Sequence, residues 1–142
     1  MQTALPALQS AIYARLKNYQ PLMDKVTGVW DDVPQTYIDD SGNTVAAAFP
    51  YVTLDVASNI AEDTKLSIGE HIVWQINTFS RYSGKSESYN LLNLIMQALQ
   101  APLSLEGGFF IASYVPGRPT VIMDADGVSY HGILTLNFLI NQ

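Results

Sequence analysis

Two histidines, thirteen acidic residues and no cysteine are the raw material for chemistry in this chain of 142 residues. His71 and His131 each fall in an alternating stretch that reads as a strand. A metal centre needs several convergent ligands, so each histidine is expected to be structural or solvent-facing. Asp124-Ala125-Asp126-Gly127 matches the first half of a calcium loop but lacks the downstream glutamate, and the same four residues are a strong hairpin turn. Asp39-Asp40-Ser41-Gly42-Asn43 is likewise turn chemistry. Ser104, Ser113 and Ser129 have no glycines around them that would build a nucleophile elbow, and Gly107-Gly108 is a lone pair rather than a phosphate-cradling loop. The chain is therefore read as non-enzymatic, with no catalytic, metal or cofactor-binding set.

Composition narrows the partners. Seven basic residues against thirteen acidic ones give a formal charge of −6, and the basic residues are scattered singly. No basic stripe exists to neutralise phosphates, so gripping a nucleic-acid backbone is excluded as the main task. Hydrophobic residues make up 48% and charged ones only 14%. Such a surface is either partly covered by other subunits or made polar by Ser, Thr, Asn and Gln. No apolar run approaches the roughly 18 residues of a membrane span, and the first residues lack the basic and apolar regions of a signal peptide. The length fits one domain over 1–142.

The elements follow from periodicity. Leu5, Leu8, Ile12 and Leu16 recur at helical spacing and predict a helix over about residues 4 to 17, with one further turn at Leu22 to Val26. Val29 to Pro34 is a brief edge strand or extended segment. Val52, Leu54 and Val56 alternate in a strand over 51 to 57, followed by a polar connector to Ser67. Ile72, Trp74 and Ile76 define one face of a strand over 70 to 80. Ser86-Glu87-Ser88 offers N-cap groups for a helix over 86 to 100 carrying Leu91, Leu92, Ile95, Ala98 and Leu99, which Pro102 ends. Residues 109 to 115 and 128 to 140 are further strands, with an extended run at 120 to 123. The order gives an α+β fold, a single antiparallel β-sheet with the two main α-helices packed on one face and Trp74 buried beneath them.

Residues 35 to 49 lack periodicity, yet Tyr37, Ile38, Val45, Ala46, Ala47 and Ala48 make the segment more apolar than a solvated loop requires. These six are candidates for a subunit or partner interface. The segment is expected to order against a neighbour.

Several stretches, taken in order, resemble the tail completion proteins of long-tailed bacteriophages, also called tail terminator or tail-to-head joining proteins. They are Leu8 to Leu16, Gly28-Val29-Trp30-Asp31-Asp32-Val33-Pro34, Phe49-Pro50-Tyr51-Val52-Thr53-Leu54, Trp74-Gln75-Ile76 with Arg81-Tyr82-Ser83-Gly84-Lys85, and Asp124-Ala125-Asp126-Gly127 with His131-Gly132. Gln75 stands where the family usually has Ser, and the 35 to 49 loop is longer than its pattern. The resemblance implies a homo-hexameric ring at the head-proximal end of the tail tube. That ring would end polymerisation of the major tail tube protein and join the head-completion or neck protein. It would reside in the virion after synthesis in the host cytoplasm. The alternatives are another head-tail connector or a small-ligand binding domain. If DNA crosses such a ring without specific binding, a neutral or acidic lumen suits it, and Glu62, Asp63, Asp124 and Asp126 are the candidates for lumen or rim positions.

Overall fold

A computed structural model describes residues 2–31, 36–38, 41–46 and 49–142. The elements are α1 (Leu5–Lys17), α2 (Gln20–Met23), β1 (Val29–Trp30), β2 (Thr36–Ile38), β3 (Thr44–Ala46), β4 (Tyr51–Ala61), β5 (Gly69–Ser80), α3 (Ser86–Ala98), β6 (Phe110–Pro116), β7 (Thr120–Met123) and β8 (Tyr130–Asn141). The α+β reading holds. One sheet runs β1-β4-β5-β8-β6 with β7 also on β8, and β2 pairs with β3 in a separate two-stranded sheet.

The main sheet is antiparallel except at one edge, where β1 runs parallel to β4 through Val29 opposite Val52 and Trp30 opposite Thr53. This departure from an all-antiparallel sheet has a local cause. The turn after α2 delivers the chain to the β4 edge in the same direction as β4, fixed by Thr27 N–H to Pro50 O (2.9 Å) and Val52 N–H to Gly28 O (3.1 Å). β4 also runs on to Ala61, four residues past the expected end. Ser58, Asn59 and Ile60 pair with Val73, Ile72 and His71 beyond a bulge at Ala57. Backbone pairing to a long neighbour overrides the polar composition that suggested a connector.

One sheet face builds the core. Val52, Leu54, Ile72, Trp74, Ile76, Leu134, Leu136, Phe138 and Ile140 are buried there together with Leu8, Ile12 and Leu16 of α1 and Leu91, Leu92 and Ile95 of α3. The registers place Trp74 between Val56 and Leu136, at 3% exposure. Gly132 sits where a Cβ would collide with Thr78 Oγ1 and press on the Leu92 side chain, so absence of a side chain is what lets α3 lie close to β8.

Among the described residues, Trp74 Nε1, Thr78 Oγ1 and Ser88 Oγ are buried without a hydrogen-bond partner. Ser88 therefore does not cap α3 as its position suggested; Lys85 stands at the cap with no side-chain bond, and Glu87 instead accepts from Ser80 Oγ at 2.6 Å. A buried unpaired hydroxyl costs about 1 to 3 kcal/mol relative to a paired one. Thr78→Val, which keeps the branched shape and removes that hydroxyl, is expected to leave stability unchanged or raise it by up to about 1 kcal/mol in urea unfolding.

Candidate interaction surface

The acidic candidates fall at opposite ends of the sheet. Glu62 and Asp63 lie in the turn between β4 and β5, where Glu62 N–H bonds to Gly69 O (2.9 Å) and Asp63 Oδ1 accepts from Gly69 N (3.1 Å). Asp124 and Asp126 lie in the turn between β7 and β8. β8 separates the two pairs, so they form two ends rather than one cluster. Tyr37 and Ile38 fall in β2, and Val45 and Ala46 in β3, the two strands that pair only with each other in the described residues. Ala47 and Ala48, like Asp39 and Asp40, lie outside the described residues.

The Asp124 to Gly127 segment is the hairpin turn its sequence predicts, closed by Gly127 N–H to Asp124 O (3.0 Å) with Gly127 at φ +71°. Asp126 accepts from Val128 N (2.8 Å), Ser129 N (2.8 Å) and Ser129 Oγ (2.6 Å). The Ser129 hydroxyl, the two amides and the Arg81 guanidinium hold its carboxyl down to about 2. Both of its oxygens accept hydrogen bonds within the turn. Arg81 links this turn to the β4 entrance, with Nε donating to Ser129 Oγ (3.2 Å), Nη2 3.7 Å from Asp126, and its guanidinium 4.1 Å over the Phe49 ring.

The helix-free face carries a row of rings that the sequence reading did not assemble. Trp30 meets Tyr51 edge-on at 5.8 Å, Phe49 lies 5.0 Å from Tyr51, Tyr51 stacks on Phe79 at 5.1 Å, and Phe79 stacks on His131 at 4.6 Å. Trp30, Tyr51, Phe79 and His131 belong to strands, on the side opposite Val52 and Ile76, and Phe49 precedes β4; the cross-strand registers bring them into line. Asn77 Oδ1 accepts from Gln75 Nε2 (2.7 Å) and lies 2.8 Å from His131 Nε2, which donates to it in the Nε2-protonated tautomer. Burial lowers the His131 pKa, opposed by Asp124. His131 thus belongs to the ring stack and hydrogen-bonds to Asn77.

Glu70 is a second residue missed from sequence. α1 has no side-chain cap of its own at Ala4. Glu70, reaching from β5, supplies it by accepting from Ala4 N (2.6 Å), Thr3 Oγ1 (2.7 Å) and Asn59 Nδ2 (2.9 Å). Burial alone would raise its pKa, but the three hydrogen bonds outweigh burial and hold it below the usual glutamate range. A depressed folded pKa adds stability above the unfolded value, lost as pH falls through the folded one. Glu70→Gln is expected to lower stability by about 1 kcal/mol at pH 7, with the difference from wild type shrinking below pH 4 in thermal melts.

These surfaces, two acidic turns at opposite ends and a ring-lined, helix-free sheet face, suit protein contacts better than small-molecule chemistry. The family model described as Tail completion protein gp17 matches residues 10–141. The chain belongs to the tail completion protein gp17 family. The tail completion protein gp17 of Bacillus phage SPP1 is 33% identical over 137 residues, covering 96% of this chain and 93% of that protein. The solved structure of SPP1 gp17 matches at a TM-score of 0.59 with 32% identity, over 94% of this chain and 88% of that one. A chain in the virion of a native gene transfer agent particle has the same fold, at a TM-score of 0.81 over 100% of both chains with 18% identity. This tail completion protein is a structural component of the virion.

Proposed function

We propose that this tail completion protein forms a closed hexameric ring at the head-proximal end of the phage tail tube, ends tube polymerisation and joins the tail to the head or neck. The family match along nearly the whole chain carries the reading. Its partners are five further copies, the major tail tube protein and a head-completion or neck protein, and it performs no catalysis. DNA passes through the ring without specific binding. The helix-free sheet face suits the lumen, because among its described strand residues Asp55 is the one formally charged side chain, beside Thr53, Gln75, Asn77, Thr135 and Asn137. Strands without Lys or Arg let a polyanion slide, the Arg81 guanidinium over Phe49 being held beside Asp126 at one end, and the acidic turns carrying Glu62, Asp63, Asp124 and Asp126 form the two rims. Tails assembled without the chain are expected to be overlong and to lack heads, and addition of purified protein should restore uniform length and joining. Tails of normal length and normal joining in its absence would refute the role.

The segment over 35 to 49 is the contact to a neighbouring subunit or the last tube ring. A two-stranded hairpin is marginal by itself and gains stability by packing on a partner. Deleting Asp39 to Ala48 is expected to leave the domain folded, by thermal melt, while tube binding or ring stability falls. Tail completion at the intact level would reduce the segment to a connector.

A further inference from the structure

Within the proposed ring, on which this inference rests, we infer that neighbouring copies join edge to edge through β6 of one subunit and the outer edge of β4, residues 58 to 61, of the next. Among the described residues both edges are open. β1 covers β4 only at Val52 and Thr53, and β6 is the last strand on its side of the sheet.

The registers put the two open edges at the same height. Ile111 aligns through Ile140 and Glu70 with Ala61; Ser113 through Leu139 and His71 with Ile60; Tyr114 through Phe138 and Ile72 with Asn59; and Val115 through Asn137 and Val73 with Ser58. At the other end of the sheet β1 and β7 occupy the corresponding positions. Strand direction agrees as well. Three successive antiparallel pairings make β4 and β6 run oppositely. With the strands running along the ring axis, rotation about that axis keeps each strand's direction, so the junction between copies is antiparallel, the stronger ladder. A head-to-tail contact of this kind uses a different edge on each partner and closes into a ring where the rotation between copies divides a full turn.

Side chains along the edges fit burial. Phe110 is 54% exposed, Val115 59% and Ile60 58%, and β6 carries no charged residue to repel another strand. On the helix side of β6, a cavity of about 500 Å³ lined by Leu99, Pro102, Leu103, Phe109, Tyr114 and Phe138 adjoins one of about 490 Å³ at Met96, Gln97 and Pro116. An added strand turns alternate side chains toward such pockets while its backbone completes the ladder.

The chain has no cysteine, so introduced pairs report without background. Variants combining Ser113→Cys or Val115→Cys with Ser58→Cys or Ile60→Cys are oxidised in assembled particles. At least one pair is expected to give a covalent ladder ending at six chains, while each single variant stays uncrosslinked. A β6 variant that crosslinks alone into dimers overturns the inference in favour of a two-fold contact. A six-copy ring in which no pair crosslinks overturns the edge contact and leaves the ring standing; particles without a six-copy ring overturn the ring reading itself. Ala112, exposed and outside the β6–β8 register, supplies the second variant. Ala112→Lys is expected to melt like wild type yet need roughly tenfold or more protein to assemble. Unchanged assembly of that variant would also overturn the inference.

Discussion

Trp74→Ala is expected to destabilise the domain by about 3 to 5 kcal/mol, measured as the midpoint shift in denaturant unfolding. Trp74 is in the middle strand pair of the sheet, at 3% exposure, with buried Ile72 and Ile76 on either side along β5 and Val56 and Leu136 opposite it on the flanking strands. Truncation to the Cβ loses the transfer energy of a large ring and opens a void that a sheet bonded on both sides has little freedom to close. Against a total stability of about 5 to 15 kcal/mol for a domain, that is from about a fifth of the stability to nearly all of it. The indole nitrogen has no partner among the described residues. Trp74→Phe keeps most of the ring volume and gives up no hydrogen bond, so it should cost less than half as much. A loss at Phe equal to that at Ala would mean that the indole nitrogen, not the ring volume, matters.

Arg15→Ala carries the second large effect, about 2 kcal/mol. Arg15 leaves α1 and donates from Nη1 to Ala98 O (3.0 Å) and Ala101 O (2.9 Å) and from Nη2 to Pro102 O (3.1 Å). It therefore closes the C-terminal end of α3, where carbonyls have no partner within the helix and the dipole favours a cation. The bond to Ala98 O is partly buried, so losing the guanidinium leaves that carbonyl poorly solvated. Arg15→Lys keeps the charge but not the planar fork, and it should recover no more than about half the loss. Equal stability of the Lys variant and wild type would show that charge alone suffices. The variant also tests how the two long helices are held together, since Arg15 ties the end of α3 and the residues just after it to the last turn of α1.

What the sequence made legible is what local pattern controls. The 3.6-residue recurrence of Leu8, Ile12 and Leu16 and the alternation of Ile72, Trp74 and Ile76 are each set by one buried face, and each reads correctly. The parallel β1, the four-residue extension of β4 and the Glu70 cap were not legible, because each depends on a partner far along the chain. Glu70 and Ala4 are 66 positions apart, and no window of residues links them. The ring row fails for the same reason. Phe79 and His131 carry no shared local signal and meet only because Ser80 pairs with Tyr130 and sets the register. The Asp124-Gly127 turn, by contrast, is closed by local hydrogen bonds, with Arg81 added from afar, and its residue types alone identify it. As for the interface candidates, a composition argument locates an unusually apolar segment but says nothing of which neighbour it meets.

The proposed hexamer is tested most directly by imaging assembled tails at their head-proximal end and counting copies of this chain there. Six copies in one closed ring between the last tube layer and the neck are expected, with the helix-free sheet face lining the channel. A channel lined mainly by Arg and Lys would contradict the lumen assignment. A single copy, or an open arrangement without rotational symmetry, would contradict the ring itself.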